Sequence, residues 1–201
     1  DVASGGSGPI AIDMDADGFE FIGVGESSVF LVDEAQGWRR QTAWVGPDDG
    51  LLVLDANGNG SVDSSEEISF TRFVEGAQTD LEGLRAFDTN GDSLLSGADQ
   101  RWGEFNIWQD ADSDGVVDAG EMRSLPDLGI ESIGLVSDGK FQVINGQTVH
   151  GTGAVRRTDG SVISMADVTL EYRNTTQLAN ADGQTTTVNV ATFTQGQQVA
   201  G

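Results

Sequence analysis

The chain has 201 residues, with 33 acids against 10 bases and a formal charge of −23, so it offers no basic face to a nucleic-acid backbone or an anionic membrane. Cysteine is absent and His150 is the only histidine, which excludes disulfides and thiolate chemistry and argues against a histidine zinc site or a Ser-His-Asp triad. Gly reaches 28 and Asp outnumbers Glu by 22 to 11, a composition of turns rather than of helices, and no apolar run approaches the length of a membrane span.

Residues 1–8 are small and Gly-rich and read as a linker. The alternation Ile10, Ile12 predicts a short strand running into an acidic loop. Residues 19–24 and 28–32 are apolar enough for two more strands, and 41–54 carries Trp44, Val45 and the run Leu51 to Leu54. Thr79 or Asp80 is placed to cap a helix from Leu81 to Phe87, with Leu81, Leu84 and Phe87 on one face. Residues 104–109 alternate like a strand. Strands are then expected over 133–136, 141–144, 148–155 and 162–172, with Thr158-Asp159-Gly160 as a hairpin turn. Residues 9–173 read as one module. Residues 174–201 form a polar tail, either disordered or with one strand over 185–193.

One motif recurs four times. Asp55, Asn57, Asn59, Ser61, Asp63 and Glu66 occupy positions 1, 3, 5, 7, 9 and 12 of an EF-hand calcium loop, with Gly60 at position 6. Asp110, Asp112, Asp114, Val116, Asp118 and Glu121 match equally well, with Gly115 at position 6. Asp88, Asn90, Asp92, Leu94 and Asp99 form a weaker version, because Ser93 replaces the glycine and the shorter Asp99 stands at position 12. Asp13, Asp15, Asp17 and Phe19 supply only the first half; position 12 is Val24, so a carboxylate must come from elsewhere, with Asp33, Asp48 and Asp49 as candidates. The spacing has a geometric reason: residues two apart on a tightly turning loop all point inward, position 7 offers its carbonyl, and a distant carboxylate closes the shell of a hard cation.

Asp-Gly and Asn-Gly also form plain turns, and an acidic surface also follows from halophilic adaptation. The clustering favours cations: four stretches that make up about a fifth of the chain hold 15 of its 33 acids, and such carboxylates repel unless a cation lies between them. From Asp55 to Asp88 there is room for two helices, so these loops are expected to form an EF-hand pair. Their position-8 residues, Val62 and Leu95, would pack together, as Val117 would in the third loop. The stretch before Asp110 reads as strand, so that loop lacks an incoming helix. The expected fold is therefore α+β: EF-hand-like calcium loops with short helices, combined with an antiparallel β-sheet.

The order of these pieces resembles the calcium-binding self-processing module of FrpC-type RTX proteins, over residues 9–170. The matching stretches are Pro9 to Gly18, Trp44-Val45, Asp48 to Asp63, Phe87 to Asp92, Ile107 to Glu121, Leu128 to Ile130 and Thr158 to Gly160. The resemblance implies calcium-driven folding that triggers cleavage of an Asp-Pro bond just before the module. The Asp carboxylate attacks its own carbonyl, and water or a lysine amine captures the anhydride. Here Pro9 follows Gly8, and no Asp-Pro bond exists in the chain. Two further departures are Asp33 to Trp38, where an acidic loop of the family looks degraded and no complete site is expected, and Glu66-Glu67-Ile68-Ser69-Phe70, where the family reads Glu-Leu-Phe-Gly. Gly-Gly-x-Gly-x-Asp repeats are absent.

These features imply a calcium-binding, calcium-folded module of a large type I-secreted bacterial adhesin or toxin. It is expected to be a monomer, secreted or at the cell surface, with calcium ions and neighbouring domains of the same chain as partners. No catalytic residue is assigned: Gly8 and Pro9 only mark the family's cleavage bond, and an Asp at position 8 would make the module self-cleaving in calcium. The alternatives are an inactivated processing module and a sugar-binding adhesin domain using Trp38, Trp44, Trp102 and Trp108. For those tryptophans a place in the core is the favoured reading. His150 and Lys140 read as ordinary strand or turn residues.

Overall fold

Strands form where apolar residues alternate or run together, and most of them join one sheet. In the computed structural model residues 2–3, 8–33, 38–173, 175–179 and 185–189 are described, with 2–3, 32–33, 38–39, 175–179 and 185–189 described by backbone alone. The main sheet has nine antiparallel strands: β1 (Ile10–Ile12), β2 (Gly50–Leu54), β3 (Leu94–Ser96), β4 (Phe105–Trp108), β5 (Met122–Ser124), β6 (Ile130–Gly134), β7 (Gln142–Ile144), β8 (Gln147–Arg157) and β9 (Val162–Thr169). Their order is β5-β4-β2-β1-β9-β8-β6-β3, and β7 also pairs with β8. Strand β1 therefore lies at the centre, with Ala11 opposite Leu51 on one side and Ile10 opposite Asp167 on the other.

Both faces of this sheet are covered, which explains the unbroken apolar run of β2. Ile10, Ile12, Leu52, Leu54, Phe105, Ile107, Ile163 and Met165 point to one core. Phe70, Leu81, Leu84 and Phe87, from the segment that follows the second acidic loop, close it. Ala11, Leu51, Val53, Trp108, Ala166 and Val168 point to the other face, covered by Phe21, Val24, Val29 and Trp44 from residues 19–45. Within that covering segment Phe21–Ile22 pairs with Trp44–Val45. A second, four-stranded sheet joins Val2–Ala3, Tyr172–Arg173, Trp38–Thr42 and Phe30–Asp33, and Thr175–Ala179 pairs with Thr185–Asn189 as a separate hairpin.

The α+β expectation is overturned. Among the described residues one α-helix forms, α1 (Asp80–Leu84), capped by the Thr79 side chain on the amide of Glu82 and continued by a 3-10 turn over Arg85–Phe87. Leu81, Leu84 and Phe87 do face the core together. Of the helices expected around the acidic loops, only this one, α1, forms, leading into Asp88. The loop at 55 is entered from β2 and left by a single 3-10 turn, Ser65–Glu67, and the loop at 110 runs from β4 into β5. The flanks are too short, and β2 too continuously apolar, for a helix whose nucleation costs more than one turn returns. The expected EF-hand pair fails with them: Leu95 lies opposite Ile133 in the sheet, while Val62 and Val117 pack under the other face. The Thr158–Gly160 turn does close a hairpin between β8 and β9, with Gly160 at φ +86° and its amide on Arg157 O at 3.0 Å.

Candidate metal centres

Four loops at the ends of these strands share a pattern of positive φ. Positions 4 and 6 are left-handed in each: Ala16 and Gly18, Gly58 and Gly60, Gly91 and Ser93, Ser113 and Gly115. Three non-glycine residues thus accept a costly conformation at matching positions. The position-1 carboxylate holds the turn by taking amides from within the loop. Asp55 accepts from Asn59 at 3.1 Å and Gly60 at 2.9 Å, Asp88 from Asp92 at 3.2 Å and Ser93 at 2.9 Å, and Asp110 from Asp114 at 3.1 Å and Gly115 at 2.8 Å. The position-5 side chain then takes the amide of position 7, as in Ser61 to Asn59, Leu94 to Asp92 and Val116 to Asp114. Asp13 takes the amide of Ala16 at 2.8 Å and Asp15 that of Asp17.

In the loops at 110 and 88 the far carboxylate closes the turn in one way, by accepting the amides of positions 2 and 9. Glu121 takes Ala111 at 2.8 Å and Asp118 at 2.9 Å; Asp99 takes Thr89 at 2.7 Å and Ser96 at 2.9 Å. In the loop at 55 the bond to position 9 has moved by one residue, and the amide of position 2, Ala56, goes to Leu54 O at 3.0 Å. Glu67, not Glu66, accepts the amide of Asp63 at 2.7 Å and is buried, whereas Glu66 pairs with Arg72 at 3.1 Å on the surface. The 3-10 turn starting at Ser65 swings Glu67 inward. Nothing in the spacing separates two adjacent glutamates.

The half-motif at 13 is completed from β2's leading turn. Asp49 is fully buried and accepts the amides of Met14 and Glu20, at 3.3 and 3.1 Å. Carboxylate oxygens of Asp13, Asp15 and Asp49 lie within 4.8 Å of one another, as do those of Asp110, Asp112 and Asp114. Of the three carboxylates named for this role, Asp49 is the one so placed. The backbone of Asp33 lies in the second sheet, and the degraded loop expected over 33–38 lies outside the described residues over 34–37. Burial pushes Asp49 up to about 7 despite its two amide partners, and repulsion from Asp15 raises Asp17. Burial and the neighbouring Asp17 raise Glu20. Burial also raises Asp110, while amides of Asp118 and Ala111 and the Trp108 indole outweigh burial and lower Glu121. The loops thus crowd carboxylates, with backbone amides as their main partners and Arg72 on Glu66 as a cationic one.

Two tryptophans tie the loop at 110 to the core. Trp44 Nε1 donates to Asp110 Oδ2 at 2.6 Å, Trp108 Nε1 donates to Glu121 Oε2 at 3.3 Å, and the two rings pack edge-on at 5.2 Å. Positions 1 and 12 are therefore each gripped by an indole. Both rings are buried and leave no surface for stacking sugars, and Trp102 packs against the first core. Trp44 and Asp110 are 66 residues apart, too far for any local pattern to link them.

Gly8 and Pro9 are buried at the seam between β1 and β9, where Pro9 O accepts the amide of Val168 at 3.1 Å. A Cβ on Gly8 would lie 1.3 Å from Val168 O. No carboxylate stands at the position that the cleavage chemistry needs. Lys140 pairs with Asp138 in a turn, and His150 lies on β8 with Nε2 2.8 Å from Thr169 Oγ1. Among the described residues no helix is long and apolar enough to cross a membrane.

The model of the SPM domain family matches residues 10–171. A relative, the iron-regulated protein FrpA of Neisseria meningitidis serogroup C, is 37% identical over 172 residues, which cover 83% of this chain and 15% of the relative. The chain therefore spans a small part of that protein's length.

Proposed function

The chain belongs to the SPM domain family, and on that premise we propose that it is a calcium-folded module of a large secreted bacterial RTX-type adhesin or toxin, and one that does not cleave itself. The observation that carries this reading is the pattern of positive φ shared by the four loops, with oxygen donors at positions 1, 3 and 5 and a carboxylate closing from afar. Carboxylate, amide and carbonyl oxygens in a flexible loop suit a hard cation taking six to eight ligands, which is calcium rather than magnesium. The ligands are Asp13, Asp15, Asp17, Phe19 and Asp49; Asp55, Asn57, Asn59, Ser61, Asp63 and Glu67, with Glu66 beside it; Asp88, Asn90, Asp92, Leu94 and Asp99; and Asp110, Asp112, Asp114, Val116, Asp118 and Glu121.

The mechanism follows from charge. Without the ion the loops repel and the ends of β2, β4 and β5 are not fixed. Calcium at extracellular concentration closes the loops, and its binding energy becomes folding energy. Gly8 supports the non-cleaving reading, because it has no carboxylate to attack the bond to Pro9. The test is a calcium titration of the chelated protein, followed by far-UV circular dichroism and the near-UV signal of the tryptophans, with magnesium as control. A cooperative, calcium-specific gain of structure is expected, with the chain mass unchanged after long incubation. Spectra and melting temperature indifferent to calcium would refute the folding role, and a calcium-dependent break before Pro9 would refute the non-cleaving one.

A further inference from the structure

Two buried acids, Asp80 and Asp167, lie outside all four loops. Asp80 opens α1 and is 0% exposed; Asp167 lies on β9 and is 2% exposed. Asp80 Oδ1 accepts the amides of Phe70 and Thr71, at 2.6 and 2.8 Å, and lies 3.3 Å from Ser69 Oγ. Asp167 Oδ2 accepts the amide of Leu81 at 2.9 Å. That bond brings the Asp167 carboxyl to the first turn of α1, beside Asp80. The other oxygens, Asp80 Oδ2 and Asp167 Oδ1, are buried with no hydrogen-bond partner.

The surroundings bring little compensation. On α1 Glu82 turns back to the amide of Gln78 at 2.7 Å. Arg85, beyond α1, donates to Leu135 O, and Arg72 of the preceding 3-10 turn pairs with Glu66. Strand β1 and residues 68–71 contribute no titratable group. Burial raises Asp167 by more than the Leu81 amide, the Thr79 hydroxyl and His150 of β8 lower it. Burial, with repulsion from Asp167, pushes Asp80 up to about 7. Two buried carboxylates with orphaned oxygens are too costly to ionise together. One proton removes one charge and gives a donor to an oxygen that has none.

We propose that Asp80 and Asp167 hold one proton between them in the folded module and form a pH-sensitive lock that fastens α1 to β9. The folded pair keeps its proton above the pH at which an unfolded aspartate, at about 3.9, has lost it. The native state therefore binds more protons than the unfolded state from about pH 4 up to Asp80's value of about 7. Stability conferred by the lock is full at the acid end of that window, falls as pH rises through it, and is gone above it.

Asp80→Asn tests this, since it keeps the Oδ1 acceptor, supplies a donor at Oδ2 and stays neutral at every pH. Urea unfolding is measured from about pH 5 to about pH 8 in saturating calcium, so that the loops contribute equally to parent and variant. Relative to the parent, the variant's folding constant should rise by up to tenfold per pH unit while the pair titrates. His150→Gln should keep the fall in stability with rising pH and move it only slightly towards higher pH, because His150 lowers Asp167 less than burial raises it. Parallel profiles for parent and Asp80→Asn would overturn the proposal, whether or not calcium drives folding. If Asp80→Asn does not fold, infrared difference spectra of the otherwise unaltered module carrying Asp49→Asn, which removes the other buried aspartate pushed up to about 7, decide. A protonated, buried carboxylic acid band present near pH 6 and lost near pH 8 supports the lock, and its absence at both overturns it.

Discussion

Gly8 is where a single methyl group should do most damage. Its added Cβ would lie 1.3 Å from Val168 O, 2.3 Å from the Val168 carbonyl carbon and 2.6 Å from Thr169 Cα. All three are backbone atoms at the end of β9, so no side chain can rotate away. Comfortable contact needs about 3.5 Å, and restoring it means moving the two segments apart by roughly 2 Å. That separation breaks the Val168–Pro9 hydrogen bond, at about 1 kcal/mol, on top of the about 1–3 kcal/mol of ordinary overpacking. Gly8→Ala should therefore cost about 2–4 kcal/mol, which for a module of this size lowers the melting temperature by roughly 5–15 °C. The assay is a thermal melt in saturating calcium, followed by near-UV circular dichroism. Gly103→Ala is the control, because nothing lies within 4 Å of its Cβ position, and it should change the melt by no more than roughly 2 °C. A Gly8→Ala melt as close to the parent's as that of the control would show that residue 8 is not packed against β9.

The displaced glutamate separates two side chains that the sequence alone cannot: Glu67→Gln should weaken calcium binding at the loop at 55 by about tenfold or more, since bonds to a charged group contribute about 1.5–3 kcal/mol, whereas Glu66→Gln should change it far less. Isothermal titration of both variants checks this, and equal losses would return the role to Glu66. Trp44→Phe keeps a ring in the core but removes the donor to Asp110 Oδ2; it should lower calcium affinity at the loop at 110 by about threefold to tenfold, with the loops at 55 and 88 unaffected. Calcium titration read by the remaining tryptophans measures it, and an unchanged affinity would mean that the indole only fills space.

The loops were legible because their logic is local. Alternate oxygens and a residue tolerant of positive φ at position 6 determine the turn, whether it is Gly60 or Ser93 that adopts it. The fold class was not legible for the same reason: the ligand pattern is identical whether the flanks are helices or strands, and only the run Gly50 to Leu54 hinted at a doubly covered strand. The closing of the half-motif by Asp49 was open to sequence reading as one of three choices, since buried and exposed aspartates look alike. The indole grips on Asp110 and Glu121, the shift from Glu66 to Glu67 and the meeting of Asp80 with Asp167 depend on tertiary placement, which leaves no trace in local spacing.

The central strand comes from the start of the module, and its mate β9 comes from near the end. The two ends of the module therefore leave it about one strand spacing apart, roughly 5 Å, although about 160 residues of extended chain between them reach on the order of 500 Å. A long polypeptide that contains this module is reeled in by nearly that whole length when the sheet closes. The module then hangs beside the path of the chain as a bead, not within it as a rod. Closure also has to wait for both ends, so the middle of the sheet is incomplete until β9 has joined β1.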